Sequence, residues 1–148
     1  MTGVFEVNSV EETWELARKL AAELKPGDVI CLEGDLGAGK TTFPQGLAAA
    51  LGVPGRVNSP TFCIVQEHRA TFARSKVDLP LPYLVHMDLY RLHDENDVIA
   101  IGWEDFLAQG AILVVEWPER AGSLIPSDAK HVIFNHLEGE EARRIEFR

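Results

Sequence analysis

Short apolar runs bounded by turn residues alternate with stretches of helical periodicity, which predicts an α/β sandwich of three layers with a largely parallel central sheet. One strand-to-helix connection is also a glycine-rich turn, Gly34-Asp35-Leu36-Gly37-Ala38-Gly39-Lys40-Thr41. The chain has 148 residues, 46% of them apolar and 25% charged, the balance of a soluble chain with a packed core. One domain spanning 1–148 is the expectation, large enough to need neither disulfide nor metal as a staple.

The elements follow in order. Ser9-Val10-Glu11-Glu12 has the S-x-x-E form of a capping box, and Val10, Trp14, Ala17, Ala21 and Leu24 recur at 4-3-4-3 spacing, so a helix starts here. Lys25-Pro26-Gly27 stops it, and 28–32 reads as a strand buried on both faces. A helix over 40–51 follows, with Gly52 at its end. Residues 62–68 and 84–88 read as strands, separated by a loop over 69–82. Residues 95–107 are amphipathic but interrupted by Gly102, predicting a broken helix or two short ones. Ala111 to Val115 is the most apolar β-type run and is expected at the sheet centre. Late strands at 132–134 and 143–147 flank a Glu138-Gly139-Glu140 turn.

With 14 Lys and Arg against 23 Asp and Glu, the formal charge is −9. That balance opposes direct gripping of RNA or anionic membranes, which is driven by cations neutralising phosphates. Cys31 and Cys63 lie far outside any C-x-x-C spacing among apolar neighbours and read as buried free thiols of a reducing compartment. No run approaches 18 apolar residues, and Glu6, Glu11, Glu12 and Glu15 occupy the region where a signal peptide carries positive charge. The expectation is a cytoplasmic protein with no membrane segment.

The turn at 34–41 matches G-x-x-x-x-G-K-[ST] at every fixed position, between a predicted strand and a predicted helix as that motif requires. Its glycines let backbone N–H groups converge as an anion nest, and the helix N-terminus adds partial positive charge. The fold is therefore expected to be P-loop NTPase-like. Leu36, Gly37, Ala38, Gly39, Lys40, Thr41 and Thr42 are the candidate nucleotide-binding residues. Lys40 would reach the β- and γ-phosphates, the Thr41 hydroxyl would hold Mg²⁺, and Thr42 would donate to the α-phosphate. No N-K-x-D sequence for reading guanine occurs, so ATP is the expected nucleotide. An acid is needed near Mg²⁺, and two apolar strands end in one, at Asp88 and Glu116. The C-terminal ends of parallel strands are where α/β sheets bind ligands, so either acid can coordinate the metal or its water.

Four segments in order, Gly34 to Thr42, Asn58-Ser59-Pro60-Thr61-Phe62, His86-Met87-Asp88-Leu89-Tyr90-Arg91-Leu92 and Glu116-Trp117-Pro118-Glu119, resemble the bacterial TsaE (YjeE) family across nearly the whole chain. The resemblance implies a small P-loop ATPase, slow alone, that acts with a heterodimer of the TsaB and TsaD type in forming N6-threonylcarbamoyladenosine on tRNA. It implies that ATP hydrolysis resets the partner complex, that the threonylcarbamoyl transfer is done elsewhere, and that tRNA is met only indirectly. The positions matching Thr41 and Glu116 then bind Mg²⁺, and those matching Thr61, Asp88 and Trp117 are nucleotide-responsive or catalytic. Thr61 becomes a candidate sensor of the γ-phosphate, and Trp117 a residue that orients Glu116. The resemblance also makes Val10 to Thr13 and the turn at Gly139 candidates for adenine contacts.

Two features depart from the family pattern. Pro44 falls near the start of the helix after the turn, and if that helix begins at Lys40 it cannot bond the Lys40 carbonyl. The 69–82 connection is longer than usual and carries Arg69, Arg74 and Lys76, a candidate contact for an acidic partner or tRNA phosphates or else a tolerated surface insertion. Two other readings remain open from the residues alone: a small-molecule kinase of the P-loop class, and a binding module gated by nucleotide.

Overall fold

The structure is a computed structural model that describes residues 1–34, 42–53, 64–69, 83–139 and 142–148. Its elements are β1 (Gly3–Val7), α1 (Val10–Ala21), β2 (Val29–Gly34), α2 (Thr42–Ala50), β3 (Val65–Arg69), β4 (Tyr83–Asp88), α3 (Glu95–Ala100), α4 (Trp103–Ala108), β5 (Ile112–Glu116), β6 (Lys130–His136) and β7 (Arg143–Phe147), with 3-10 turns at Pro118–Arg120 and Gly122–Leu124. The strands form one sheet in the order β1-β7-β6-β2-β5-β4-β3. The runs rich in Val, Ile and Leu supply its parallel centre, β6, β2, β5 and β4, while β1, β7 and β3 add antiparallel edges. The three-layer class read from the sequence is the class observed.

Side chains alternate across each strand, so the sheet divides the core in two. Ile30, Leu32, Leu84, Ile112, Val114, Val132 and Phe134 pack with α1 and α2 on one face. Val29, Cys31, Val85, Met87, Leu113 and Val115 face the other side, with Val98 and Trp103 of α3 and α4. The Cys31 thiol is buried and free, and burial pushes its pKa up to about 12. Cys63 lies outside the described residues.

Several elements sharpen the sequence reading. Ser9 caps α1 by accepting from the Glu12 amide at 3.2 Å, but the Glu12 carboxylate accepts from Asn8 N rather than from Ser9 N. The buried stripe of α1 is Thr13, Leu16, Ala17, Leu20 and Ala21, whereas Val10 and Trp14 are exposed. Burial of Leu16 and Leu20 contributes roughly 1.5–3 kcal/mol each, more than the alanines of the predicted stripe provide. Gly102, at φ 106°, breaks 95–108 into α3 and α4, a backbone angle that side chains resist.

Pro44 is buried and is the third residue of α2 as described, while the Lys40 carbonyl that its missing N–H would meet lies outside the described residues. Arg69 is a correction: it ends β3 rather than opening a loop, with its guanidinium 3.8 Å from the centroid of the Tyr83 ring. The rest of the expected loop, 70–82, lies outside the described residues, as do Arg74 and Lys76. β1 had no counterpart in the sequence reading; it pairs with β7 at the sheet edge. Among the described residues, no helix is long and apolar enough to cross a membrane.

Candidate functional site

Alternation sets which side chains meet at the C-terminal end of the sheet. Leu84 of β4 and Val114 of β5 face α1 and α2, so His86, Asp88 and Glu116 share that face. Asp88 is the register partner of Glu116, and Glu116 is also aligned with Leu32 of β2. Glu116 therefore ends the strand between β4 and β2, and two residues past Leu32 comes Gly34, where the glycine-rich segment begins. A side chain at position 34 would run into the Phe134 backbone of β6, and its φ of 123° belongs to glycine. Sheet packing thus accounts for the first glycine of the motif.

Glu116 is only 6% exposed. Its Oε2 lies 2.8 Å from Nε2 of His86, itself 1% exposed, so the two form a buried pair. Asp88 is half-buried and oriented through Oδ1, which accepts from the Tyr90 amide at 3.1 Å. Backbone bonds tie the strand ends together, Asp88 N to the Ile64 carbonyl at 2.9 Å and Leu89 N to the Glu116 carbonyl at 3.2 Å. These acids therefore sit on a braced edge.

The chain then turns sharply at Trp117, at φ 59° and ψ 52°, where among the described residues it is the one non-glycine with positive φ. A bulky side chain in that region costs roughly 1–2 kcal/mol, and the following Pro118 restricts the backbone further. Strain of this kind persists only where surrounding contacts impose it. Here the Trp117 ring packs against the exposed Tyr90 ring, centroids 4.8 Å apart and tilted by 52°, and borders the α3/α4 core. Glu95 accepts from both Ser123 N and Ser123 Oγ, which lowers its pKa and pins the chain downstream.

The structure therefore brings together Asp88, Glu116 and Trp117, and it opens α2 with Thr42. Leu36, Gly37, Ala38, Gly39, Lys40, Thr41 and Thr61 lie outside the described residues; 35–41 joins the end of β2 to the start of α2. Sequence reasoning missed His86. The signal was the two-residue alternation of Leu84, His86 and Asp88 against Val114 and Glu116, legible once 84–88 and 112–116 are placed side by side.

The donors present fit Mg²⁺. Two carboxylates end adjacent parallel strands on one face, and this ion takes one or two carboxylate oxygens together with phosphate oxygens and water. Among the described residues no cluster of three ligating side chains occurs, so an all-protein metal cage is not built from them.

The sequence pattern described as "Threonylcarbamoyl adenosine biosynthesis protein TsaE" matches residues 7–145. The chain is 43% identical over 137 residues to the tRNA threonylcarbamoyladenosine biosynthesis protein TsaE of Bacillus subtilis, covering 93% of this chain and 79% of that protein. It is 43% identical over 116 residues to the protein of the same name from Aquifex aeolicus, covering 77% of this chain and 75% of the relative. A crystal structure of Bacillus subtilis YdiB superposes with a TM-score of 0.73 at 31% identity, covering 99% of this chain and 84% of the other. The match along nearly the whole length places this chain in the TsaE family.

Proposed function

We propose that this protein binds and hydrolyses ATP in the formation of N6-threonylcarbamoyladenosine on tRNA, acting with a TsaB–TsaD type heterodimer and resetting that complex between cycles. The observation that carries the reading is the pairing of Asp88 and Glu116 at the ends of adjacent parallel strands, with Glu116 next to the strand that leads into Gly34-x-x-x-x-Gly39-Lys40-Thr41. Family membership supports the pathway. The net charge of −9 supports an indirect relation to tRNA, through protein partners.

In this reading Leu36, Gly37, Ala38 and Gly39 offer backbone N–H groups to the phosphates, Lys40 neutralises them, and Thr42 donates to the α-phosphate. Thr41 and Glu116 would hold Mg²⁺, which would supply charge neutralisation to the phosphates. Asp88 serves hydrolysis through the metal's water shell or the attacking water, its carboxylate oriented by the Tyr90 amide. Thr61 senses the γ-phosphate. Trp117 orients Glu116 through the adjoining peptide, and the exposed Tyr90 and Arg91 face the partner. Slow turnover alone suits a switch better than a metabolic enzyme.

The test measures ATP binding, turnover, and association with the heterodimer under ATP, ADP and no nucleotide, for wild type and Lys40→Ala. The reading expects Lys40→Ala to remain folded and lose ATP binding, and wild-type association to follow the nucleotide. Hydrolysis unchanged in Lys40→Ala removes the cradle assignment. Association that ignores the nucleotide removes the reset role.

A further inference from the structure

Among the described residues the buried polar or charged side chains are Thr13, His86 and Glu116. Thr13 bonds within α1, donating from its hydroxyl to the Ser9 carbonyl at 3.4 Å. The other two lie in the sheet and meet each other at 2.8 Å. A carboxylate that serves as a metal ligand accepts, and in that state the bond is donated by Nε2–H of His86. The other ring nitrogen, Nδ1, is buried with no hydrogen-bond partner among the described residues.

A core role alone does not explain an imidazole here. Its neighbours on the same face, Leu84 and Val114, are fully buried aliphatics, and an aliphatic side chain at 86 would pack without stranding a ring nitrogen. What a donor at this position adds is a bond that fixes the Glu116 carboxylate from the β4 side. Ordering a glutamate's rotamers on ligand binding costs affinity, and each bond made beforehand reduces that cost.

We propose that His86 is a positioning residue: its Nε2–H bond to Oε2 sets the plane and rotamer of Glu116 before nucleotide and metal arrive. The inference rests on Glu116 as the Mg²⁺ ligand of the proposed function. Partners of this kind, standing behind a metal ligand, typically contribute about 10- to 100-fold to metal affinity.

The first measurement needs no variant. Long-range proton–nitrogen correlation spectra of the whole protein, alone and with Mg²⁺ and ADP, are expected to show His86 protonated at Nε2; a ring protonated only at Nδ1 overturns the proposal. The second measurement titrates Mg²⁺ against ADP binding by calorimetry, with metal-free ADP binding in chelator as reference. His86→Leu is expected to raise the apparent Mg²⁺ dissociation constant about 10- to 100-fold without altering metal-free binding. His86→Gln, whose amide N–H can take the place of Nε2–H, should recover to within about threefold of wild type.

A His86→Leu protein that titrates Mg²⁺ as wild type does, or a His86→Gln protein no better than His86→Leu, overturns the positioning role. Should His86→Leu fail to fold, His86→Asn, whose amide stops short of Glu116, takes its place in the comparison. Glu116→Gln separates the two levels. If it weakens Mg²⁺ while His86→Leu does not, only the inference fails; if Glu116→Gln leaves the Mg²⁺ titration unchanged, the metal reading of Glu116 fails and takes the inference with it.

Discussion

Among the described residues, the sheet carries two Glu–His pairs built on the same plan. In each, the glutamate stands two residues beyond the register partner of the histidine on a neighbouring parallel strand: Val114 then Glu116 beside His86, and Cys31 then Glu33 beside His131. The first pair is 2.8 Å apart with side chains 1% and 8% exposed; the second is 3.3 Å apart with side chains 37% and 40% exposed, on the opposite face. Pairing geometry is therefore common to both, and burial distinguishes them. The partly exposed Glu33–His131 pair is screened by solvent. Around His86 and Glu116, protein replaces that water, so the carboxylate is held in one place.

The largest expected effect tests whether chemistry belongs to the buried row. Asp88, the register partner of Glu116, is assigned to hydrolysis, so Asp88→Asn should lower single-turnover ATP hydrolysis by roughly 10²- to 10⁴-fold while sparing ATP binding. Unchanged turnover would detach Asp88 from the chemistry.

Stability comes next. His86→Leu deprives the buried Glu116 carboxylate of its imidazole partner and should cost roughly 1–3 kcal/mol in urea unfolding. A cost near zero would make this pair equivalent to the exposed one.

His68 extends the comparison to pH. Burial, and then the nearby His86, hold its pKa below the ordinary 6.5. Below about pH 6.5 the unfolded chain takes up a proton that the folded His68 resists, so this contribution to stability falls as pH drops and is fully present above that value. His68→Asn should flatten the fall in urea midpoint between about pH 7 and about pH 5.5. An unchanged slope would assign the acid sensitivity elsewhere.

The smallest effect belongs to the exposed pair. His131→Leu or Glu33→Gln should shift unfolding by less than about 1 kcal/mol, and added salt should shrink the difference further. A loss matching that of His86→Leu would show that burial does not separate the pairs.

The sequence made the parallel centre legible because strands buried on both faces carry unbroken Val, Ile and Leu, as in Ile112 to Val115. β1 escaped for the converse reason: it is a mostly exposed antiparallel edge, with Val4 57% exposed, and leaves no run to read. Asp88 and Glu116 stood out as acids closing apolar runs. The His86–Glu116 bond did not, because partners 30 residues apart meet only through strand register. The left-handed backbone of Trp117 was hidden too, since its cause lies in contacts with Tyr90 and the neighbouring core rather than in local propensity.

The most direct test of the account is a Mg²⁺ titration of ATP binding in wild type and Glu116→Gln. Glutamine keeps an oxygen that can accept the His86 bond while losing the charge, so the variant should stay folded and bind ATP in chelator as wild type does. The account predicts a clear loss of the Mg²⁺-dependent gain in affinity. Superimposable titrations would contradict it, and loss of binding in Asp88→Asn with loss of turnover alone in Glu116→Gln would exchange the roles of the two acids.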